Sequence, residues 1–143
     1  MRLYRLVPIV VIAGLLAGCA ATPRHETFHL NADIEKSIGY AQAVRRGDLI
    51  PVSGTVGVGA TMEAQVAAAY ASLDRTLRHF GATPASVVRE VVYTTDIDAF
   101  KDATAARQRF YGGHLPAASW IGVQRLYSPE LKVEIEITAR APH

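Results

Sequence analysis

Residues 131–140 alternate strictly between apolar and polar side chains, the pattern of a β-strand that buries one face. The apolar set is Leu131, Val133, Ile135, Ile137 and Ala139. The opposite face carries Glu134 and Glu136, two carboxylates about 7 Å apart along the strand. The alternation therefore predicts a sheet that is packed on one face only. Its second face must meet water or a partner subunit.

Two helices are predicted to cover the packed face of this sheet. Residues 62–80 carry apolar side chains at steps of three and four residues, which places them on one stripe of a helix. Thr61 is a suitable N-cap for this helix, and Gly81 stands where a C-terminal glycine belongs. Asp96 or Asp98 is expected to cap a second helix over the residues that follow.

The remaining strands are predicted from β-branched and apolar runs between turn residues. The predicted strands cover residues 39–45, 49–53, 87–95, 118–126 and 131–140. The first two should form a hairpin, and Gly54, Gly57 and Gly59 should form a loop after it. The order β-β-α-β-α-β-β predicts an α+β fold in two layers, a mixed sheet with two helices on one face.

The N-terminus resembles a bacterial lipoprotein signal peptide. Arg2 and Arg5 precede a short apolar run, and Leu16-Ala17-Gly18-Cys19 has the form of a lipobox. The apolar run is shorter than the roughly 20 residues that a transmembrane helix needs. Cys19, the only cysteine in the chain, is therefore the expected lipidation site. The alternatives are an uncleaved anchor or an ordinary secretory signal.

The chain is expected to divide into three parts: a signal peptide over 1–19, a tether over 20–31, and one domain over 32–143. Ala20 is not the aspartate that is associated with inner-membrane retention, so we expect a lipid anchor in the outer membrane, facing the periplasm. Without the signal peptide's two arginines, thirteen cations balance thirteen carboxylates. This balance gives no indication of nucleic-acid binding.

Five short motifs follow one another around the two predicted helices. They are Ile38-Gly39-Tyr40-Ala41-Gln42, Leu49-Ile50-Pro51-Val52-Ser53-Gly54, Leu115-Pro116-Ala117-Ala118-Ser119, Val123-Gln124-Arg125-Leu126 and Lys132-Val133-Glu134-Ile135-Glu136-Ile137. In order and spacing they resemble the RidA/YjgF family over residues 38–139. The resemblance implies a chorismate-mutase-like fold, a homotrimer, and a small-molecule cleft at each subunit interface. Such a trimer would cover the free face of the sheet.

The resemblance also implies an activity, hydrolysis of the C=N bond of small imines or enamines by a deaminase that uses no metal or cofactor. Glu134 matches the catalytic glutamate of the family. The positions that match substrate-binding residues are Tyr40, Ser53, Gly54, Thr104, Ala118, Ser119 and Trp120. The alternative is a non-catalytic module that binds a small molecule or another component of the cell envelope.

Ala118 stands where the family motif carries an arginine that pairs with the substrate carboxylate. Losing such a two-point charge pair costs on the order of 2–5 kcal/mol of binding. We therefore expect a changed ligand rather than the usual 2-imino acids. Trp120 shares the strand face of Ala118 and offers a surface for stacking on ligand or for subunit packing. Arg107, Arg125 or an arginine of a neighbouring subunit remains a candidate substitute.

One further motif matches a metal signature. The run His25-Glu26-Thr27-Phe28-His29 has the H-E-x-x-H form of zinc proteases. That chemistry requires both histidines on one face of a buried helix together with a third ligand. The motif lies in the predicted tether, and no third ligand is recognisable downstream. We therefore predict no metal site.

Overall fold

A six-stranded sheet is the framework of the computed structural model, which describes residues 25–142. The strands are β1 (His25–Phe28), β2 (Ala43–Arg46), β3 (Leu49–Val56), β4 (Val87–Thr94), β5 (Ala117–Gly122) and β6 (Val133–Arg140). Their order across the sheet is β1-β2-β3-β6-β4-β5. The pair β4–β5 is parallel and the other pairs are antiparallel. The predicted mixed sheet is therefore confirmed.

Three of the four helices that the structure describes pack on one face of this sheet. The helices are α1 (Ala32–Ile38), α2 (Met62–His79), α3 (Ile97–Asp102) and α4 (Ala105–Tyr111). Side chains of α2, α3 and α4 share one buried cluster with the inward residues of β3, β4 and β6. The α+β fold in two layers is thus confirmed, although residues 25–142 contain four helices rather than two and six strands rather than five.

The alternation along β6 has the predicted outcome. Val133, Ile135, Ile137 and Ala139 are buried beneath the helices. Glu134 lies on the opposite face and remains half-buried. We call that opposite side, which α2, α3 and α4 do not cover, the open face of the sheet. The strand therefore presents its two carboxylates on a surface that a single subunit leaves accessible.

The first predicted helix has the expected ends, whereas the second is broken in two. The hydroxyl of Thr61 accepts a hydrogen bond from the N–H of Ala64, and Gly81 adopts a φ of 69°. The carboxylate of Asp96 caps α3, but the chain turns at residues 103–104 before α4 begins. The turn lets both Phe100 of α3 and Tyr111 of α4 reach the core.

The N-terminal part of the domain differs from the prediction. Residues 25–28, which were assigned to the tether, form β1 and pair with β2, and Phe28 stacks on His79 at a centroid distance of 4.2 Å. Residues 32–38 form α1, which Asn31 caps. The predicted strand over 39–45 begins only at Ala43.

The predicted signal peptide over 1–19, the lipidation site Cys19 and residues 20–24 lie outside the described residues. Within residues 25–142, no helix is both long enough and apolar enough to cross a membrane.

We expect Gly57→Ala to destabilise the domain by about 1–3 kcal/mol, because the added methyl group overpacks a tight contact. A Cβ at Gly57 would overlap the backbone oxygen of Gln65 and would stand 2.7 Å from the backbone N of Ala69. The control is Gly122→Ala, whose Cβ would lie 3.5 Å from Ile97 in ordinary contact. Urea unfolding measures both variants, and equal stabilities would contradict this packing.

Candidate functional site

A hollow of about 320 Å³ lies on the open face of the sheet, between β3, β6 and the loop that precedes β6. Its lining is mainly apolar or aromatic, with one carboxylate. The lining residues are Ile38, Tyr40, Ser53, Gly54, Val56, Tyr127, Leu131 and Glu134. Four of the residues that the sequence singled out therefore meet in one place: Tyr40, Ser53, Gly54 and Glu134. We call this place the Glu134 hollow.

Among residues 25–142, Glu134 is the only carboxylate in the wall of this hollow. It sits between Val56 of β3 and Tyr93 of β4 in the sheet. Its side chain makes no hydrogen bond or ion pair to any of residues 25–142. Burial raises the pKa of Glu134, and the nearby carboxylate of Glu136 raises it further. A half-buried carboxylate with a raised pKa is suited to accept a proton and return it during a reaction.

Gly54 makes room for that carboxylate. A Cβ built at Gly54 would overlap Oε1 and would lie 2.6 Å from Cδ of Glu134. The register of β3 against β6 also shifts between Val52 and Thr55, which is a β-bulge around Gly54. The sequence predicted a loop at Gly54, whereas the structure places it inside β3. The glycine lets the carboxylate lie directly against the neighbouring strand.

Tyr40 and Ser53 supply the polar atoms of the opposite wall. The hydroxyl of Ser53 donates to the backbone oxygen of Ala41 at 2.7 Å, so its hydrogen is already committed. The oxygen of Ser53 can still accept a hydrogen bond from a ligand. Burial raises the pKa of Tyr40, and the charges of Glu35 and Glu134 add to this rise. Tyr40 therefore keeps its proton at neutral pH and can donate it in a hydrogen bond.

Glu35 holds this wall in place, although the sequence did not single it out. Its side chain is fully buried, and it accepts hydrogen bonds from the backbone N–H groups of Leu30, Asn31 and Gln42 at 2.8 to 3.0 Å. Leu30 and Asn31 donate to Oε1, Gln42 donates to Oε2, and Nδ1 of His29 lies 2.7 Å from Oε2. These contacts fix both ends of α1, and thereby the positions of the hollow's residues 38 and 40. A glutamate within a short polar helix carries no sequence signal for this role.

We expect the stability of the domain to fall in acid through Glu35. Burial alone would raise the pKa of Glu35, but the N–H donors of Asn31 and Gln42 and the ring of His29 outweigh it, so its pKa lies below the usual 4.5. A lowered carboxyl pKa contributes stability above the ordinary pKa, and this contribution is lost as the pH falls through the folded-state pKa.

Glu35→Gln should therefore lose about 1–3 kcal/mol at pH 7, since an amide cannot serve the same donors. The difference from the wild type should shrink below pH 4.5. Urea unfolding between pH 3 and pH 7 measures it. A difference that stays constant over this range would contradict the assigned cause.

The loop wall of the hollow depends on Gln65 of α2. This buried amide donates to the backbone oxygens of Gly59 and Glu130 and accepts from the N–H of Lys132. It therefore ties the loop after β3 to the loop before β6, which carries Tyr127 and Leu131 of the hollow. The sequence did not predict the roles of Glu35 and Gln65, because each depends on contacts that only the folded chain brings together.

Four other predicted site residues lie outside the Glu134 hollow. In the sheet register Trp120 pairs with Val92, whose other partner is Ile135, so Trp120 and Ala118 project on the helix face. The ring of Trp120 meets Phe100 edge-on at 4.9 Å. Ser119 lies on the open face, but β6 and β4 separate its strand from β3. Thr104 lies in the turn between α3 and α4, where its hydroxyl donates to the backbone oxygen of Lys101.

Thr104, Ala118 and Trp120 thus form a second group on the far side of the sheet from Glu134. Because the sheet separates the two groups, one subunit cannot bring them to the same ligand. A cleft that uses both groups needs two subunits, one contributing the Glu134 hollow and the other contributing β5. The predicted roles of these residues stay predictions. The predicted strand over 118–126 ends at Gly122, so Arg125 lies in the following loop.

The H-E-x-x-H motif lies on β1 and the residue after it, not on a helix. His29 is engaged by Glu35, and the ring of His79 contacts Glu26 at 3.1 Å. Within the described part of the chain, no group of three or more potential ligands is close enough to hold a metal ion.

The comparisons with known proteins agree with this geometry. Residues 31–141 match the family described as Endoribonuclease L-PSP. A YjgF/YER057c/UK114 family member from Mycobacterium tuberculosis is 34% identical and superimposes with a TM-score of 0.78, covering 82% of this chain and 100% of that one. A YjgF family protein from Neisseria meningitidis is 30% identical with a TM-score of 0.73, over 84% and 97% of the two chains. No functionally curated protein gives a significant match. The chain belongs to the RidA/YjgF family.

Proposed function

We propose that this protein binds and hydrolyses a small imine or enamine in a cleft that two subunits complete. The observation that carries the proposal is the carboxylate of Glu134, which is half-buried, has no partner within residues 25–142, and has a raised pKa. An unpaired carboxylate costs stability unless a ligand or a reaction uses it. It stands in a hollow whose size suits a small metabolite.

Glu134 would act as the proton shuttle of the reaction. Its carboxylate takes a proton from a water molecule while the water oxygen forms a bond to the imine carbon. The carboxyl group then returns this proton to the nitrogen, which gives a carbinolamine. Glu134 next takes the proton of the new hydroxyl group and passes it to the nitrogen, so that the C=O bond forms as the C–N bond breaks and ammonia leaves. Tyr40 can donate a hydrogen bond to the substrate, and Ser53 can accept one.

We further propose that the protein assembles as a homotrimer. The separation of the Glu134 hollow from the group around Trp120 supports a shared cleft. The edge strand β5 is also largely exposed, and Leu49, Val56 and Ile121 leave apolar surface uncovered on the subunit. Such surface typically marks an interface. Light scattering on the chain without residues 1–19 tests this assembly, and a monomer at micromolar concentration would rule out the shared cleft.

The name of the matched family mentions a ribonuclease, but the site favours a small molecule. Glu134 and Glu136 place two carboxylates beside the hollow, and Tyr93 hydrogen-bonds Glu136 at 3.4 Å. Neighbouring carboxylates repel a phosphate backbone, whose binding depends on Lys and Arg contacts. The hollow is lined mainly by apolar and aromatic side chains rather than by cations.

The test of the proposed activity is ammonia release from freshly generated 2-iminobutanoate and 2-iminopropanoate. We expect wild-type protein to release ammonia faster than the uncatalysed reaction. The competing hypothesis is a non-catalytic module that keeps the cleft and binds a ligand without turning it over. A wild-type rate at background, with Ala118→Arg gaining turnover, would favour that hypothesis and would trace the loss to the missing arginine.

We also propose that the mature protein is lipid-anchored at Cys19 in the outer membrane, facing the periplasm. The support is the lipobox form of residues 16–19 and the short apolar run before it. Acylation provides enough buried methylene groups for stable anchoring. Cys19→Ser should move the protein from the membrane fraction to the soluble fraction or leave its signal uncleaved. A wild type that is soluble, with a free Cys19 thiol by mass spectrometry, would contradict the anchor.

A further inference from the structure

A second buried carboxylate lies on the helix side of the sheet, and the Glu134 hollow does not include it. Glu90 of β4 is completely buried. It accepts hydrogen bonds from the hydroxyls of Tyr70 and Tyr111, each at 2.8 Å, and from Nε of Arg107 at 2.7 Å. Three donors from α2 and α4 thus satisfy its charge. We call these four residues the Glu90 cluster.

Only one of the three guanidinium nitrogens of Arg107 donates a hydrogen bond within this cluster. Nε donates to Glu90, while neither Nη nitrogen donates to an atom of residues 25–142. No buried side-chain nitrogen in this part of the chain lacks a partner, so solvent reaches both Nη nitrogens. The side chain as a whole is only 15% exposed. Arg107 is therefore largely buried and fixed in position, and both of its Nη nitrogens are free to donate hydrogen bonds.

Two aromatic rings hold the guanidinium in this orientation. Cζ of Arg107 lies 5.0 Å from the ring centre of Tyr111 and 5.6 Å from that of Trp120, within the range of cation–π attraction. Together with the hydrogen bond to Glu90, these contacts remove much of the side chain's rotational freedom before any ligand arrives. A guanidinium fixed in advance binds a planar anion at a lower entropic cost than a mobile one.

The contacts of Arg107 place its guanidinium at residues that neighbour Ala118 in the sheet. Glu90 pairs with Ala118 in the parallel register of β4 and β5, and Trp120 is two residues further along the same face. Ala118 is exposed and fills little of the space on this face. A guanidinium reaching from α4 therefore stands next to the strand position that lacks an arginine of its own.

We infer that Arg107 binds the anionic group of the ligand, a carboxylate or a group of similar shape, beside Ala118 and Trp120. This inference rests on the proposed cleft, in which the reacting part of the same ligand would reach Glu134 of the adjacent subunit. It replaces the sequence-based expectation of a ligand other than the usual 2-imino acids, because the cation of Arg107 lies on the face where the strand itself carries none. Arg107 is then a specificity-determining residue.

Trp120 supplies the readout for a direct test, because it is the only tryptophan in the chain. The probes are butanoate and butanamide, which have similar size and differ in charge. The purified full chain, held in solution by a non-ionic detergent, is titrated with each probe while tryptophan fluorescence is recorded at constant ionic strength. We expect a saturable change with butanoate and none with butanamide.

Arg107→Lys should weaken butanoate at least about tenfold, because an ammonium cannot make the two-point contact. The lysine retains a positive charge near Glu90, which limits the effect on folding, and circular dichroism checks this. The matched control is Arg109→Lys on the exposed side of α4, which should leave the affinity unchanged. No saturable response in the wild type, an equal response to butanamide, or an unchanged affinity in Arg107→Lys would each overturn the inference.

The variant Glu134→Gln distinguishes a failure of the inferred anion site from a failure of the proposed hydrolysis. The variant should still show a saturable butanoate response, because Arg107 still binds the carboxylate and butanoate has no C=N bond on which Glu134 could act. A wild type that responds to butanoate but releases no ammonia from any imine would leave the anion site standing and would refute the proposed hydrolysis. Turnover that is unaffected in Arg107→Lys, in terms of both kcat and KM, would refute the role of Arg107 and would leave the hydrolysis intact.

Discussion

Glu134→Gln should lower kcat for imine hydrolysis by about 10²–10⁴-fold, the usual contribution of a general acid–base group. Glutamine fills the same space beside Gly54 but cannot take a proton from water. Ammonia release from the freshly generated imines measures the loss. In the wild type, kcat/KM should fall as the pH decreases through the raised pKa of Glu134, above the usual carboxyl value of 4.5.

The matched control is Glu136→Gln, two residues away on the same strand face. Glu136 does not line the hollow, so its loss should have only the small effect of removing a neighbouring charge. A raised carboxyl pKa removes stability as the pH rises above the ordinary value, so Glu134→Gln should be at least as stable as the wild type at pH 7. Equal turnover in Glu134→Gln and the wild type would show that Glu134 is not the proton shuttle.

Glu90→Leu should destabilise the domain by about 3–5 kcal/mol, because it leaves the charge of Arg107 buried without its partner. The change also leaves the hydroxyls of Tyr70 and Tyr111 without their common acceptor. With the carboxylate in place, burial and the charge of Glu90 raise the pKa of both tyrosines well above the usual 10, so both remain donors. Urea unfolding at pH 7 measures the loss.

The double variant Glu90→Leu/Arg107→Met tests whether the unpaired charge of Arg107 causes the loss of stability in Glu90→Leu. Removing both charges should recover part of the loss, since a buried pair that is replaced by apolar side chains often costs little. The two single effects should therefore not add. If the loss of unfolding free energy in the double variant equalled the sum of the two single losses, the two side chains would act independently. The Glu90 cluster would then not be a coupled unit.

Regular patterns let the sequence predict most of the fold. The alternation along residues 131–140 required one buried face, and β6 has that face beneath the helices. The apolar stripe and the capping residues of α2 are local, so its limits were accurate within one residue. These elements are determined by periodicity and by capping chemistry, which one segment carries by itself.

The sequence did not predict elements that depend on contacts elsewhere. β1 is four residues long, three of which are polar, and it forms because β2 offers an edge for pairing. The buried role of Glu35 depends on backbone groups that only the folded loop brings together. Such elements have no internal periodicity that a sequence pattern could reveal.

In the site, too, some features follow from motifs within one segment and others depend on contacts between segments. Tyr40, Ser53, Gly54 and Glu134, which the motifs singled out, line one hollow, because β3 and β6 are neighbours in the sheet. The separation of Trp120 from Glu134 depends on the register of β5 with β4 and of β4 with β6, which no single strand contains. Arg107 was one of several candidate cations in the sequence, and its contacts with Glu90 and Trp120 distinguish it.

The central claim is that two subunits share one catalytic cleft, and complementation between two inactive variants tests it most directly. Glu134→Gln disables the hollow of one subunit, while Ala118→Phe fills the space beside Arg107 and Trp120 on the other. The variants are co-expressed with different affinity tags, doubly tagged assemblies are purified, and light scattering checks their size. Each variant alone should release ammonia at background.

In a cyclic trimer that contains both variants, one of the three interfaces combines an intact Glu134 with an intact Ala118 face. We expect doubly tagged assemblies to recover about one third of the wild-type rate of ammonia release. Doubly tagged assemblies of the correct size that remain at background, while the wild type is active, would contradict a cleft shared between subunits.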